Sequence, residues 1–124
     1  MKEELISFET AKTAKQKGFS WHCEKHYNHE YSYDEPAIFM DDLNPEDLEP
    51  FEYSAPTQSL LQKWLRESKN IILCIVDDFD MFLGYSRGFM FTINGILHYN
   101  SGDCFEEYEQ ALEEGLQEAL KLIQ

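Results

Sequence analysis

Apolar residues recur at helical spacing in three stretches of this chain, and at strand spacing between the second and the third. In the middle stretch Leu60, Leu61, Trp64 and Leu65 form a stripe, with Gln62, Lys63, Arg66 and Glu67 on the other side. Thr57 is placed to cap this helix, Pro56 holds the preceding chain extended, and Ser68-Lys69-Asn70 form the exit, so the pattern predicts a helix over 57–68. Phe8, Ala11, Ala14 and Lys15 share a face behind a Ser7 cap, and Gly18-Phe19 has the form of a Schellman ending, which predicts a helix over 8–17. Tyr108, Leu112, Leu116, Ala119, Leu120 and Ile123 make the third stripe. Glu106, Glu107, Glu109, Glu113, Glu114 and Glu118 fall mostly outside it, and the predicted helix runs over 105–123. Gly115 within it costs up to about 1 kcal/mol against alanine, a cost that fits a close approach of this helix to a sheet.

Ile71-Ile-Leu-Cys-Ile-Val76 is a continuous apolar run of strand length, rich in β-branched residues. It reads as a central strand covered on both faces and ended by Asp77-Asp78. Met81–Tyr85 is a second strand candidate, followed by a turn at Ser86-Arg87-Gly88. Phe89, Phe91 and Ile93 alternate with Met90 and Thr92. Asn94-Gly95 then supplies the two positive-φ residues of a type I′ hairpin turn, with Ile96–Tyr99 as the return strand. The stretch 20–53 is rich in Tyr, His, Glu and Asp and carries weaker signals. Trp21–Tyr27 and Ala37–Met40 are strand candidates there, and Asp41–Pro50 reads as an acidic loop. Together these elements predict one α+β domain over residues 1–124, with roughly three to five antiparallel strands, built mainly from Ile71–Tyr99, and three helices packed on them.

Composition adds that a core can be built. The chain has 124 residues, 43% of them hydrophobic and 15% aromatic, which argues against wholesale disorder. The 24 acidic residues against 10 basic ones give a formal net charge of −14. Such a surface repels phosphate backbones and anionic membranes and suits a basic protein partner, so no direct nucleic-acid or membrane binding is expected. The chain reads as a monomer or homodimer. Met1-Lys-Glu-Glu-Leu-Ile lacks a basic region followed by a long apolar one, and no apolar run approaches the ~20 residues of a membrane helix. Cys23, Cys74 and Cys104 are odd in number and widely spaced, which points away from a disulfide framework and towards a reduced, cytoplasmic protein.

Three histidines and a cysteine in His22-Cys23-Glu24-Lys25-His26-Tyr27-Asn28-His29 make His22, His26 and His29 the candidate metal ligands. On a helix the three share a face. On a strand His22 and His26 lie ~13 Å apart and His29 points the other way. The flanking aromatics favour strand or loop, and a surface strand that happens to carry histidines is the plainer reading. Asp77-Asp78-Phe79-Asp80 fails the EF-hand spacing, because the position for a ligand is Phe82 and Gly84 comes one place late. Cys74, within the apolar run, reads as inert core. Cys104 lies near a helix start among acidic neighbours. There is no phosphate loop, nucleophile elbow or His-Glu-x-x-His, so neither catalytic residues nor a cofactor are expected. Trp21, Tyr27, Tyr31, Tyr33 and Tyr53 are candidates for an interaction surface.

Three segments carry a resemblance. Ser-Ala-Pro-Thr-Gln-Ser-Leu-Leu-Gln-Lys-Trp-Leu-Arg-Glu (54–67), Ala-Leu-Glu-Glu-Gly-Leu-Gln-Glu-Ala-Leu-Lys-Leu-Ile (111–123) and Ile-Ser-Phe-Glu-Thr-Ala-Lys-Thr-Ala-Lys-Gln-Lys-Gly-Phe (6–19) resemble a group of small acidic proteins encoded by phages, prophages and mobile elements of gut bacteria. The resemblance covers about a third of the chain and implies a biological context; together with the acidity and the absence of a catalytic constellation it leads to the expectation of a non-enzymatic accessory protein of a phage or mobile element that works by protein–protein contact. It implies no activity and no catalytic residue.

Overall fold

In the computed structural model, which describes residues 4–30, 36–40, 48–98 and 104–123, the first helix is α1 (Phe8–Gln16). The Ser7 hydroxyl accepts from the Thr10 N–H at its start. At its end Phe19 N–H donates to the Ala14 carbonyl (2.9 Å) and Gly18 N–H to that of Lys15 (3.2 Å), with Gly18 at φ +92°. This is the Schellman ending expected from Gly18-Phe19. Helix α2 (Gln58–Lys69) starts at the Thr57 cap and stops at Asn70, which takes the left-handed conformation. Helix α3 (Tyr108–Lys121) begins three residues later than its expected start at 105. Glu107 precedes it without a side-chain capping bond, and Tyr108 is exposed and not part of the buried stripe.

Among the described residues the strands form two three-stranded antiparallel sheets, where one sheet was expected. The first has the order β2-β1-β3, with β1 at His26–Asn28, β2 at Ala37–Phe39 and β3 at Glu52–Ser54. Only His26 and Tyr27 of the expected strand Trp21–Tyr27 are paired; residues 21–25 are irregular. β3 had no sequence signal of its own. Three residues are too few to show an alternation, and Tyr27 fixes it by pairing with Tyr53. Most of the expected acidic loop 41–50 lies outside the described residues.

The second sheet has the order β4-β5-β6, with β4 at Leu73–Asp80, β5 at Tyr85–Ile93 and β6 at Ile96–His98. It corrects three expectations. Ile71–Val76 feeds an edge strand and not a central one, because the turn at Asn94 (φ 52°) and Gly95 (φ 82°) lays β6 on the far side of β5. Leu73 is buried, whereas Ile72 and Cys74 are exposed, so Cys74 is not core. Nor do Asp77-Asp78 end the strand. It continues to Asp80 with a register shift between Asp77 and Phe79. Of the expected strand 81–85, residues 81–84 are therefore the turn and Tyr85 opens β5, within which Ser86-Arg87-Gly88 also lie.

One apolar core joins the two sheets. Helix α3 packs on β4 and β5, α2 packs along α3, and α1 bridges β3 and α3. Leu61, Leu65, Phe91, Leu116 and Leu120 are fully buried at its centre. A Cβ on Gly115 would stand 2.7 Å from Leu73 Cδ1 and 3.1 Å from Phe91 Cγ, which is the close approach that its place in the helix implied.

Candidate functional site

β4 and β5 run past the core as a two-stranded arm. Its base is pinned by the Phe105 backbone, which exchanges hydrogen bonds of 2.7 and 2.8 Å with Phe89, and by the edge-on contact of the Phe89 and Tyr108 rings. Along the arm the Arg87 Nε lies 3.4 Å from Asp78 Oδ2, the Cys104 thiol donates to the same oxygen at 3.1 Å, and the Ser86 hydroxyl donates to Asp77. At the tip stand Met81 (86% exposed), Phe82 (101%), Leu83 (53%) and Tyr85 (56%). Single exposed apolar residues are ordinary on a protein surface. Several together on a projecting turn have the composition of a contact site.

A second feature lies beside the N-terminus of α2. Three chain segments meet there: Ala55 N–H donates to the Lys25 carbonyl (3.0 Å), Ile6 N–H to that of Pro56 (3.1 Å), and Leu5 bridges Thr57. Between them is an open cleft of about 410 Å³. Leu5, Ala55, Pro56 and Leu60 give it an apolar floor, while His22 stands at the rim with the charged Glu24 and Lys25. Its size falls in the range of about 300–1,000 Å³ typical of ligand clefts.

The histidines expected as metal ligands take three separate places. His22 is exposed at this cleft. His26 is buried, with its Nε2 2.7 Å from Glu52 Oε2, and stacks on Phe39. His29 is half-buried and meets the Phe8 ring edge-on at 5.0 Å. Among the described residues no group of three or more His, Cys, Asp or Glu side chains is placed to hold a metal ion. Cys23 is buried, and its thiol donates to the Trp21 carbonyl at 3.6 Å. Burial pushes that thiol up to about 11, against a weaker opposing hydrogen bond with Ser54, so it stays protonated and a poor nucleophile at neutral pH.

The aromatic candidates also divide. Tyr31 and Tyr33 lie outside the described residues. Tyr27 belongs to the core and not to a surface: it is buried, and its hydroxyl donates to the Ile6 carbonyl at 2.6 Å. Burial, aided by the nearby Glu113 carboxylate, raises its phenol above the ordinary value. Tyr53 packs edge-on against Phe8, under the Lys15 ammonium at 4.8 Å from its ring centre. Burial lowers the Lys15 ammonium and Glu52 partly offsets this. Trp21 is half-buried against the core. The exposed apolar tip escaped sequence reading because Met81–Tyr85 has the composition of a strand. Only the pairing of Asp80 with Tyr85 shows that the residues between them turn in solvent.

These parts define a small α+β domain with an apolar-tipped arm and a separate apolar-floored cleft. Comparison of the chain with protein-family models, curated proteins and solved structures gave no match.

Proposed function

We propose that this chain is a non-enzymatic accessory protein of a phage or mobile element, and that it works by contact with another protein through the tip of the β4–β5 arm. The observation that carries this reading is the near-complete exposure of Met81 and Phe82 on a turn whose base is anchored to the core. The resemblance of residues 6–19, 54–67 and 111–123 supplies the biological context. The net charge of −14 favours a partner surface with an apolar socket and a basic surround. The test compares wild type with Phe82→Ser in co-purification from the native host. The expected result is a partner recovered by the wild type and lost by the variant while circular dichroism stays unchanged. Repeated recovery of nothing, or the same proteins from both, refutes the reading.

A small metal- or ligand-binding module is the alternative, and the cleft beside His22 is the observation that favours its ligand form. Metal analysis of untagged protein decides the metal form, for which zinc or copper in less than equimolar amount is the adverse result.

A further inference from the structure

We infer that the free edge of β2 accepts an extended segment of another protein, apolar at its centre and basic at both ends, as a fourth strand of the first sheet. This surface is separate from the arm, and the inference does not rest on the arm's tip. The hydrogen bonds of the sheet fix which backbone groups are available. Ala55 N–H donates to the Lys25 carbonyl at 3.0 Å, and His29 N–H to that of Phe51 at 2.9 Å. With Tyr27 opposite Tyr53, the backbone of Tyr27 therefore bonds to β3, while His26 and Asn28 bond to Phe39 and Ala37 of β2. Ile38, opposite Tyr27, holds a non-bonded position of that ladder, so its N–H and C=O point away from β1. Among the described residues nothing pairs with that side, since β2 ends the sheet. The opposite edge is closed. Lys15 Nζ donates to the Glu49 and Glu52 carbonyls at 3.1 and 2.7 Å, and Glu52 N–H donates to the Glu49 carbonyl at 2.9 Å.

Side chains and charge specify the strand that fits. Ile38, Phe39 and Met40 are 50%, 44% and 75% exposed, and Pro36-Ala-Ile-Phe-Met40 carries no charge in a chain of net charge −14. Natural sheet edges are guarded by charged side chains, by bulges or by shortness, and only shortness applies to β2, which has three residues. That shortness limits what a partner gains from the backbone, so the exposed apolar side chains supply the rest. In the sequence Asp34-Glu35 directly precede the uncharged run and Asp41-Asp42 directly follow it. An acidic pair on each side of an apolar centre complements a segment with Lys or Arg on each side of its own apolar centre. The same pattern disfavours a second copy of this chain, because antiparallel pairing of two β2 strands about Ile38 sets acidic flank against acidic flank. In the complex the Ile38 backbone sets the register of the added strand, and apolar contact with Ile38 and Phe39, on opposite faces of the sheet, sets its side-chain preference.

The probe is the capped peptide Lys-Lys-Val-Thr-Ile-Thr-Val-Lys-Lys, titrated into the full chain at low salt and followed by fluorescence anisotropy and by amide hydrogen exchange. Binding is expected to slow exchange of the Ile38 amide by about tenfold or more, the mark of a new ladder bond that diffuse charge attraction does not produce. Glutamate in place of every lysine weakens the peptide by about tenfold or more. N-methylation of its central amides keeps charge and apolar content, removes the bond to the Ile38 carbonyl, and weakens it by about tenfold. Ile38→Pro deletes the outward N–H without touching a bond to β1, and weakens binding by about tenfold with circular dichroism unchanged. Phe82→Ser binds the peptide like wild type. No binding up to millimolar peptide, an Ile38 amide that exchanges as fast in the complex, or undiminished binding of the glutamate peptide, of the N-methylated peptide or by Ile38→Pro overturns the inference. Loss of binding on Phe82→Ser places the peptide on the arm and overturns it as well. A wild-type dimer in sedimentation velocity that Ile38→Pro abolishes makes a second copy the occupant and overturns the basic segment.

Discussion

Ser7 donates both its backbone N–H and its hydroxyl to one carboxylate oxygen of Glu113, at 3.2 and 3.0 Å, across 106 positions of sequence. The hydroxyl of Thr10 donates to the same oxygen, Gln58 Nε2 donates to the other at 3.1 Å, and Gln117 Nε2 donates back to the Thr10 oxygen at 3.0 Å. A glutamate on α3 thus caps the N-terminus of α1 and ties it to the start of α2. Its negative charge sits where the free N–H groups of α1 concentrate positive potential. Glu113→Ala leaves several of these donors without an acceptor, and we expect a loss of about 2–3 kcal/mol, with Glu113→Gln milder. Urea unfolding monitored by circular dichroism measures it. A change below about 0.5 kcal/mol would show that water replaces the carboxylate without cost.

The pair His26–Glu52 is the second buried polar contact with a measurable consequence. Both side chains are nearly excluded from solvent and lie 2.7 Å apart, so removing one leaves the other buried without its partner. Glu52→Ala and His26→Ala should each cost about 2–4 kcal/mol, and the double variant less than their sum by 1 kcal/mol or more. Strict additivity in the cycle would refute the coupling.

Alkaline pH should weaken the fold through Cys23. Its thiol is raised from 9.0 to about 11 by burial, so the folded state favours the protonated form. Below pH 9 both states keep the proton and the contribution is complete. Between 9 and about 11 the unfolded chain ionises first, and stability falls with rising pH. After allowance for partial exposure the loss is about 1–2 kcal/mol. Tyr27, raised by burial and by Glu113, adds loss of the same sign at higher pH. Urea titrations from about pH 8 to about pH 10.5 should show a shallower decline for Cys23→Ala than for wild type. Parallel slopes would assign the loss elsewhere.

Gly115→Ala sets two effects against each other. Alanine gains about 1 kcal/mol of helix propensity. Its methyl group would stand 2.7 Å from Leu73 and 3.1 Å from Phe91, both buried with little room to move. Overpacking of this kind costs about 1–3 kcal/mol, so the expected net change is a loss of up to about 2 kcal/mol, read from the thermal midpoint. A stabilised variant would mean that α3 can lift from the sheet.

The helices were legible in the sequence because each carries its own punctuation: Ser7 and Gly18-Phe19 for α1, Thr57 and Asn70 for α2, and the glutamate-then-lysine charge order for α3. Asn94-Gly95 placed its hairpin for the same reason. What was not legible depends on partners distant in the chain. An apolar run such as Ile71–Val76 has the same pattern at the centre of a sheet as at an edge, and only the position of β6 beyond β5 decides between them. Glu113 fell among the glutamates outside the α3 stripe and Glu52 carried no signal of its own, yet they hold Ser7 and His26. Their interior roles need acceptors and donors brought together by the fold. The candidate contact tip was hidden in the same way, since its apolar residues match a strand until Asp80 is seen paired with Tyr85.

The web around Glu113 also orders the assembly of the molecule in time. A chain emerging from the ribosome presents α1 first, but the carboxylate that completes its start follows 106 residues after Ser7. Until then the N-terminal helix is a nine-residue segment, too short to persist alone in water. Closing the whole loop between them costs about 4 kcal/mol of chain entropy before the contact rewards it, and contacts this far apart in sequence slow the search for the native state. Joining the first helix to the last therefore makes formation of the domain a late and collective event, in which no N-terminal portion reaches its final packing ahead of α3.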